Sequence, residues 1–424
     1  MTLRKTFTAA LLLSAISTTA WAQDYFISDA KLVTNTSQGI VENADLIIRD
    51  GKIAQIGTDL TAPANVETIS ANGSWVTPGL FAPFSRLGLM DIGGEDVTND
   101  TSSGESKTSV SELASDSFNP KAVFVANTRR MGITHAVISP SAAGDSIFGG
   151  TGAVINLSGE YDSVEKPSAF IFVQLGENGT RRAGGSRAAA LVQLRAALND
   201  AAAYPGRYDG PEDGDALTRQ DAAALVKAAK GQMPLMIAAD RAMDMLNIIK
   251  LKNEYSNLDI IILGAREAWE IADELAAADI KVMVDPHDNL PVSFEAVNAR
   301  LDNVILLDEA GVDYAISNAS ALGVQRPATL AQHAGNAVGN GLEWDKAFAA
   351  ITSTPAKWFG LAGGTVLQGS GATLVVWDGD PLDVTSAPTD MFINGDRQSL
   401  ESRQTALRDR YNPTSDDTRL FKYR

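Results

Sequence analysis

Apolar and polar positions along the chain fall into two recurring patterns. Between residues 25 and 77, short apolar runs are broken by turns: Tyr25-Phe-Ile, Lys31-Leu-Val, Ala44-Asp-Leu-Ile-Ile-Arg and Lys52-Ile-Ala-Gln-Ile. Asp50-Gly51 between two of them is a hairpin signal. A matching set returns at 372–377 and 391–395, so both ends of the chain predict short β-strands broken by turns. From 78 to 360, buried-type strands alternate with helical stretches, the mark of a βα-repeat. Strands are expected at 132–140, 169–175, 234–240, 259–264, 280–284 and 313–317, and helices at 121–130, 187–203, 221–229, 267–278 and 343–360. The stretch 97–118 is polar with little apolar periodicity and reads as an ordered loop at best. The glycine-rich segment 144–154 also reads as a loop.

The first residues carry a different signal. Arg4 and Lys5 precede a short apolar run from Phe7 to Ile16, and Ala20-Trp21-Ala22 offers a small-x-small cleavage site before Gln23. That run is too short for a permanent span, so 1–22 is expected to be a cleaved secretory signal and the protein periplasmic or secreted. No later stretch is long and apolar enough to suggest a membrane span. Thirty-five basic residues against 52 acidic ones give a net charge of −17, which argues against a nucleic-acid partner. There is no cysteine, which excludes thiol nucleophiles and thiolate metal sites, and there are three histidines: His135, His287 and His333.

Three motifs carry a family likeness. Trp75-Val-Thr-Pro-Gly-Leu-Phe-Ala-Pro-Phe-Ser-Arg-Leu-Gly-Leu-Met opens the βα region, Ala372-Thr-Leu-Val-Val-Trp-Asp-Gly-Asp-Pro-Leu lies near the C-terminus, and Thr352-Ser-Thr-Pro-Ala lies between them. In this order they resemble the amidohydrolase superfamily, in its imidazolonepropionase- and prolidase-like branch. Thr373 departs from the usual Asp of the second motif. The resemblance implies a (β/α)8 TIM barrel over 78–360 and a composite β-sandwich from 23–77 with 361–400, followed by a tail at 401–424. It also implies zinc hydrolysis of C–N bonds at the C-terminal strand ends.

The ligand positions implied by the resemblance can be compared one by one. The paired His of strand one fall on Phe84 and Arg86, and the bridging Lys of strand four on Phe172. The His of strands five and six fall on Ala238 and Gly264, and the Asp of strand eight on Ala319. None of these can ligate as its counterpart does, so no metal and no other cofactor is expected. The resulting expectation is a binding protein whose old metal pocket takes a small carboxylate-bearing ligand through Arg86, or which docks a protein partner, possibly an active relative. Asp240 is the expected carboxylate beside Arg86, because an unpaired buried charge is costly. The alternative is a hydrolase of C–N bonds using non-metal acid–base groups. Its candidate is His287, just past a strand end, oriented by Asp285 or Asp288. His135 reads as a core or pocket-edge residue and His333 as a solvated helix position. Ligand identity and oligomeric state are not encoded in any motif.

Overall fold

A computed structural model describes residues 23–208, 214–318, 324 and 326–412. The expected signal segment 1–22, position Ala319 and the end of the tail lie outside the described residues.

The chain starts with β1 (Tyr25–Val33), β2 (Ile40–Arg49), β3 (Lys52–Gly57), β4 (Glu67–Ser70) and β5 (Trp75–Pro78). It continues through β6 (Leu80–Ser85), β7 (Ile133–Ile138), β8 (Phe148–Asn156), β9 (Val164–Gln174) and β10 (Leu235–Ala239). Next come β11 (Ile260–Gly264), β12 (Lys281–Val284) and β13 (Tyr314–Ile316). It closes with β14 (Leu374–Trp377), β15 (Pro388–Ile393) and β16 (Asp396–Arg397).

Both ends of the chain meet in one eight-stranded sheet, in the order β16-β15-β14-β5-β1-β2-β3 with β4 on β1. The join is the antiparallel pairing of β5 with β14, Trp75 to Trp377 and Pro78 to Leu374. The Trp377 indole donates to Thr77 Oγ1 at 2.9 Å, so the join is buried and hydrogen-bonded. By its hydrogen bonding the composite unit is this single sheet. Leu32, Leu46, Ile48, Ile53, Val76, Leu374 and Phe392 form its core.

The second sheet, β6 to β13 in sequential order, is the nearly closed barrel. Alternation along its strands sorts the side chains to two faces. Val137, Val154, Phe170, Phe172, Met236, Ile261, Leu263, Met283 and Ala315 fill the interior. Their neighbours Ile138, Ile171, Val173, Leu235, Ile237, Ile260, Ile262, Val282 and Ile316 pack outward against the helices. Among the described residues no ladder joins β13 to β6. Along that seam Phe81 N bonds Ile351 O at 2.8 Å and Arg86 N bonds Val324 O at 2.6 Å.

One strand departs from the expected repeat. The segment read as a glycine loop contains β8, which runs antiparallel to both β7 and β9. A β7–β8–β9 meander thus replaces two helical crossovers. The glycines are there because aromatic rings of β9 lie over them. A Cβ on Gly149 would stand 2.6 Å from the Phe172 ring, and one on Gly152 would stand 2.1 Å from Phe170. The polar stretch 97–118 is also more structured than its composition suggests. It carries the helix Ala114–Ser117 and is held by the Asp221 carboxylate, which accepts from Ser109 N, Ser111 N, Ser111 Oγ and Thr218 Oγ1.

Candidate functional site

The C-terminal ends of the barrel strands open into a cavity of about 360 Å³. Phe84, Arg86, Phe172, Ala238, Asp240 and Gly264 line it, so the sequence-derived positions converge from four strands. Phe84 and Phe172 stand ring to ring across the mouth, with centroids 5.7 Å apart. Below them Phe81, Phe170 and Phe359 plug the barrel, with Phe170 and Phe359 centroids at 5.8 Å.

Arg86 sits at the cavity edge just past β6. Its backbone is fixed by the bond to Val324, but its guanidinium has no partner among the described residues, and Nε is buried unpaired. Burial pushes its pKa down to about 10, the response of a cation without a counter-charge. The expected ion pair with Asp240 is not formed. Asp240 Oδ2 instead takes Arg266 Nη1 at 2.6 Å, and Arg266 Nη2 reaches Asp288 Oδ2 at 2.7 Å. Local backbone explains the exchange. Gly264 at φ +99° and Ala265 at φ +50° turn the chain back after β11, which sets Arg266 over the end of β10.

Three carboxylates share this rim. Burial raises the Asp240 pKa to about 6 despite the opposing Arg266, with Glu295 and Asp288 adding to the rise. Asp288 is raised as well, by burial first, against the pull of Arg266. Burial works against the charge of Arg266, but Asp240 and Asp288 outweigh it and hold its pKa above the ordinary value. Gly264 is needed for this packing, since a Cβ there would stand 2.4 Å from Asp240 Oδ1.

Asp285, just past β12, lines the cavity and takes His333 Nδ1 on its Oδ1 at 2.6 Å. This corrects the expected pairing. His287 gives Asp285 its backbone N–H at 3.1 Å, while its ring is exposed and lies 5.3 Å from the His333 ring. Asp288 is engaged by Arg266 rather than by His287. His333 is therefore not a solvated helix position: its side chain is 13% exposed. The signal that finds it is helical spacing, because Leu330, Ala334 and Ala337 form the buried stripe of helix Leu330–Gly339 and His333 lies on it. Arg266 had no such signal, since its role depends on the turn at Gly264-Ala265. His135 lies near the strand starts, stacked on Phe81 at 5.9 Å, with its ring nitrogens 3.2 Å from Glu165 and 3.0 Å from Thr134 Oγ1.

These residues do not fit a zinc centre of the kind the motifs imply. Phe84, Phe172, Ala238 and Gly264 offer no ligand atoms, Arg86 is a cation, and the Arg266 guanidinium already bridges two of the carboxylates. Among the described residues, no group of three or more His, Asp or Glu side chains is placed to hold a metal ion.

No protein-family model matches the chain, but comparison with known proteins finds similar ones. It is 26% identical over 397 residues to the imidazolonepropionase of Maricaulis maris (strain MCS10), covering 84% of this chain and 93% of that protein. It is 23% identical over 393 residues to amidohydrolase tasK of Hapsidospora irregularis, covering 84% of this chain but 40% of that longer protein. The crystal structure of an amidohydrolase from Thermotoga maritima MSB8 shares the fold, with a TM-score of 0.79 at 24% identity over 88% of this chain and 99% of that one. Along most of its length the chain is thus similar in sequence to an imidazolonepropionase and an amidohydrolase, and it shares the fold of an amidohydrolase of known structure.

Proposed function

We propose that this is an exported amidohydrolase relative that binds a small carboxylate-bearing ligand in the barrel mouth, holds no metal, and does not hydrolyse by the metal-dependent route. Arg86 carries the reading. A desolvated guanidinium without a partner, at the edge of a cavity, is a costly feature that a bound anion relieves. Its planar fork suits a carboxylate in a two-point contact. The Phe84–Phe172 wall supplies an apolar surface for the rest of the ligand, and Gln174 and Asn178 supply amide groups. Between a small ligand and a protein partner, such as an active relative, the enclosed cation favours the small ligand. Export rests on the leader at 1–22.

The test uses protein purified without chelator. Elemental analysis should find no stoichiometric zinc, and a panel of small carboxylates should contain members that raise the melting temperature, as any ligand of the native state does. Arg86→Gln should lose that response. One tight metal per chain, or a panel with no effect on melting, would overturn the proposal.

A second reading, metal-independent cleavage of a C–N bond, draws on the 2.6 Å Asp285–His333 contact, the pairing that orients an imidazole as general base. If it holds, amides or dipeptides are turned over in the presence of chelator, and His333→Ala lowers the rate by about 10²–10⁴-fold. His287→Ala would then have little effect.

A further inference from the structure

The cavity holds unmet acceptors as well as an unmet cation. Asp240 gives Oδ2 to Arg266, while its Oδ1 is buried with no partner. Asp285 gives Oδ1 to His333 and to the His287 amide, while its Oδ2 is likewise buried and bare. The Asp285 side chain is 4% exposed, so bulk water does not solvate that oxygen. A buried acceptor left without a donor is costly, more so when it belongs to an ion. Against Asp240, Asp285 and Asp288 the cavity sets Arg86 and Arg266, and both terminal nitrogens of Arg266 are already taken by Asp240 and Asp288, which leaves only its Nε unpaired.

From this inventory we infer that the ligand is a zwitterion, a free amino acid whose carboxylate meets Arg86 and whose ammonium meets Asp240 Oδ1 and Asp285 Oδ2. The inference rests on the carboxylate reading above and narrows it. A simple carboxylate satisfies Arg86 but adds a negative charge beside three carboxylates, whereas an amino acid adds none and brings three N–H donors. Size points the same way. About 360 Å³ lies at the low end of the range of about 300–1,000 Å³ typical of small-molecule sites. Phe84, Phe172 and Leu263 leave an apolar wall for a side chain.

Titration calorimetry on the wild-type protein tests this with matched sets: amino acids from glycine to phenylalanine, the corresponding acids lacking the amine, and the corresponding amines lacking the carboxylate. The best amino acid should bind at least about tenfold more tightly than either of its truncated partners, the scale of a hydrogen bond to a charged group. Asp240→Asn, checked by its melting curve, should lower amino-acid affinity by a similar factor and spare the acid lacking the amine. Asp285→Asn serves if that variant does not fold. Equal binding of an amino acid and its deaminated acid overturns the zwitterion and leaves the carboxylate reading intact. If no member of any set binds, both fall.

Discussion

A guanidinium held out of water without a carboxylate weighs against folding, so Arg86 should be a site where stability and function oppose each other. Arg86→Leu is expected to raise stability by about 1–3 kcal/mol while removing ligand binding. A denaturant titration decides, and a destabilised variant would mean that Arg86 has a native partner. Asp240 gives a prediction with a defined sign. Its pKa rises from 3.8 to about 6 on folding, so the folded state holds the proton more tightly than the unfolded one. Its favourable contribution is complete below about pH 3.8 and is lost as pH rises through about 6, a change of roughly 3 kcal/mol. Arg266, Asp288 and Glu295 are the charged groups that act on it. Asp240→Asn removes this dependence, so the variant's stability relative to wild type should increase between pH 5 and 7.5, and a flat difference would refute it. The placing of Phe84, Arg86, Phe172, Ala238 and Gly264 around one cavity could be read from the motif at 75–90 and the strand ends. The choice of Arg266 over Arg86 by Asp240 could not, because two consecutive left-handed residues decide it and one of them is an alanine.

At the scale of elements, the misread segment is instructive. Gly149 and Gly152 look like turn residues in isolation, yet they belong to β8, where missing side chains make room for Phe172 and Phe170. Local composition cannot show this, since the reason lies on the next strand. His333 is the opposite case, legible from spacing along its own helix once the apolar stripe is drawn. The stretch 97–118 carries no local sign of order because its anchor, Asp221, lies more than a hundred residues away and binds the backbone at Ser109 and Ser111 together with the Ser111 hydroxyl. Asp221→Ala should therefore loosen that stretch. The expected loss is about 2–4 kcal/mol, given several bonds to one buried carboxylate. Amide exchange at Ser109 and Ser111 should quicken more than exchange in β10 or β11. Uniform change across the molecule would argue against a local anchor.

At the scale of the whole molecule, the order of motifs and the alternation of strands and helices made the barrel-like sheet and the meeting of the chain ends legible. Both depend on periodicity, which survives at low sequence identity. The antiparallel sense of β8 was hidden, because strand direction leaves no mark in a run of small and apolar residues. The proposed export has a direct check: mass spectrometry of the secreted or periplasmic protein should find Gln23 at the N-terminus, and a chain beginning at residue 1 would refute it. The β7–β8–β9 meander also bears on how the barrel is first made. Its strands are joined through the short connections 139–147 and 157–163, while every later pair must await a helical crossover. Closing short loops loses little entropy, so this sector should pair early in refolding and template the strands that follow. Phe170→Leu should then slow refolding, whereas Val282→Ala in β12 should chiefly speed unfolding, a division that stopped-flow kinetics can read.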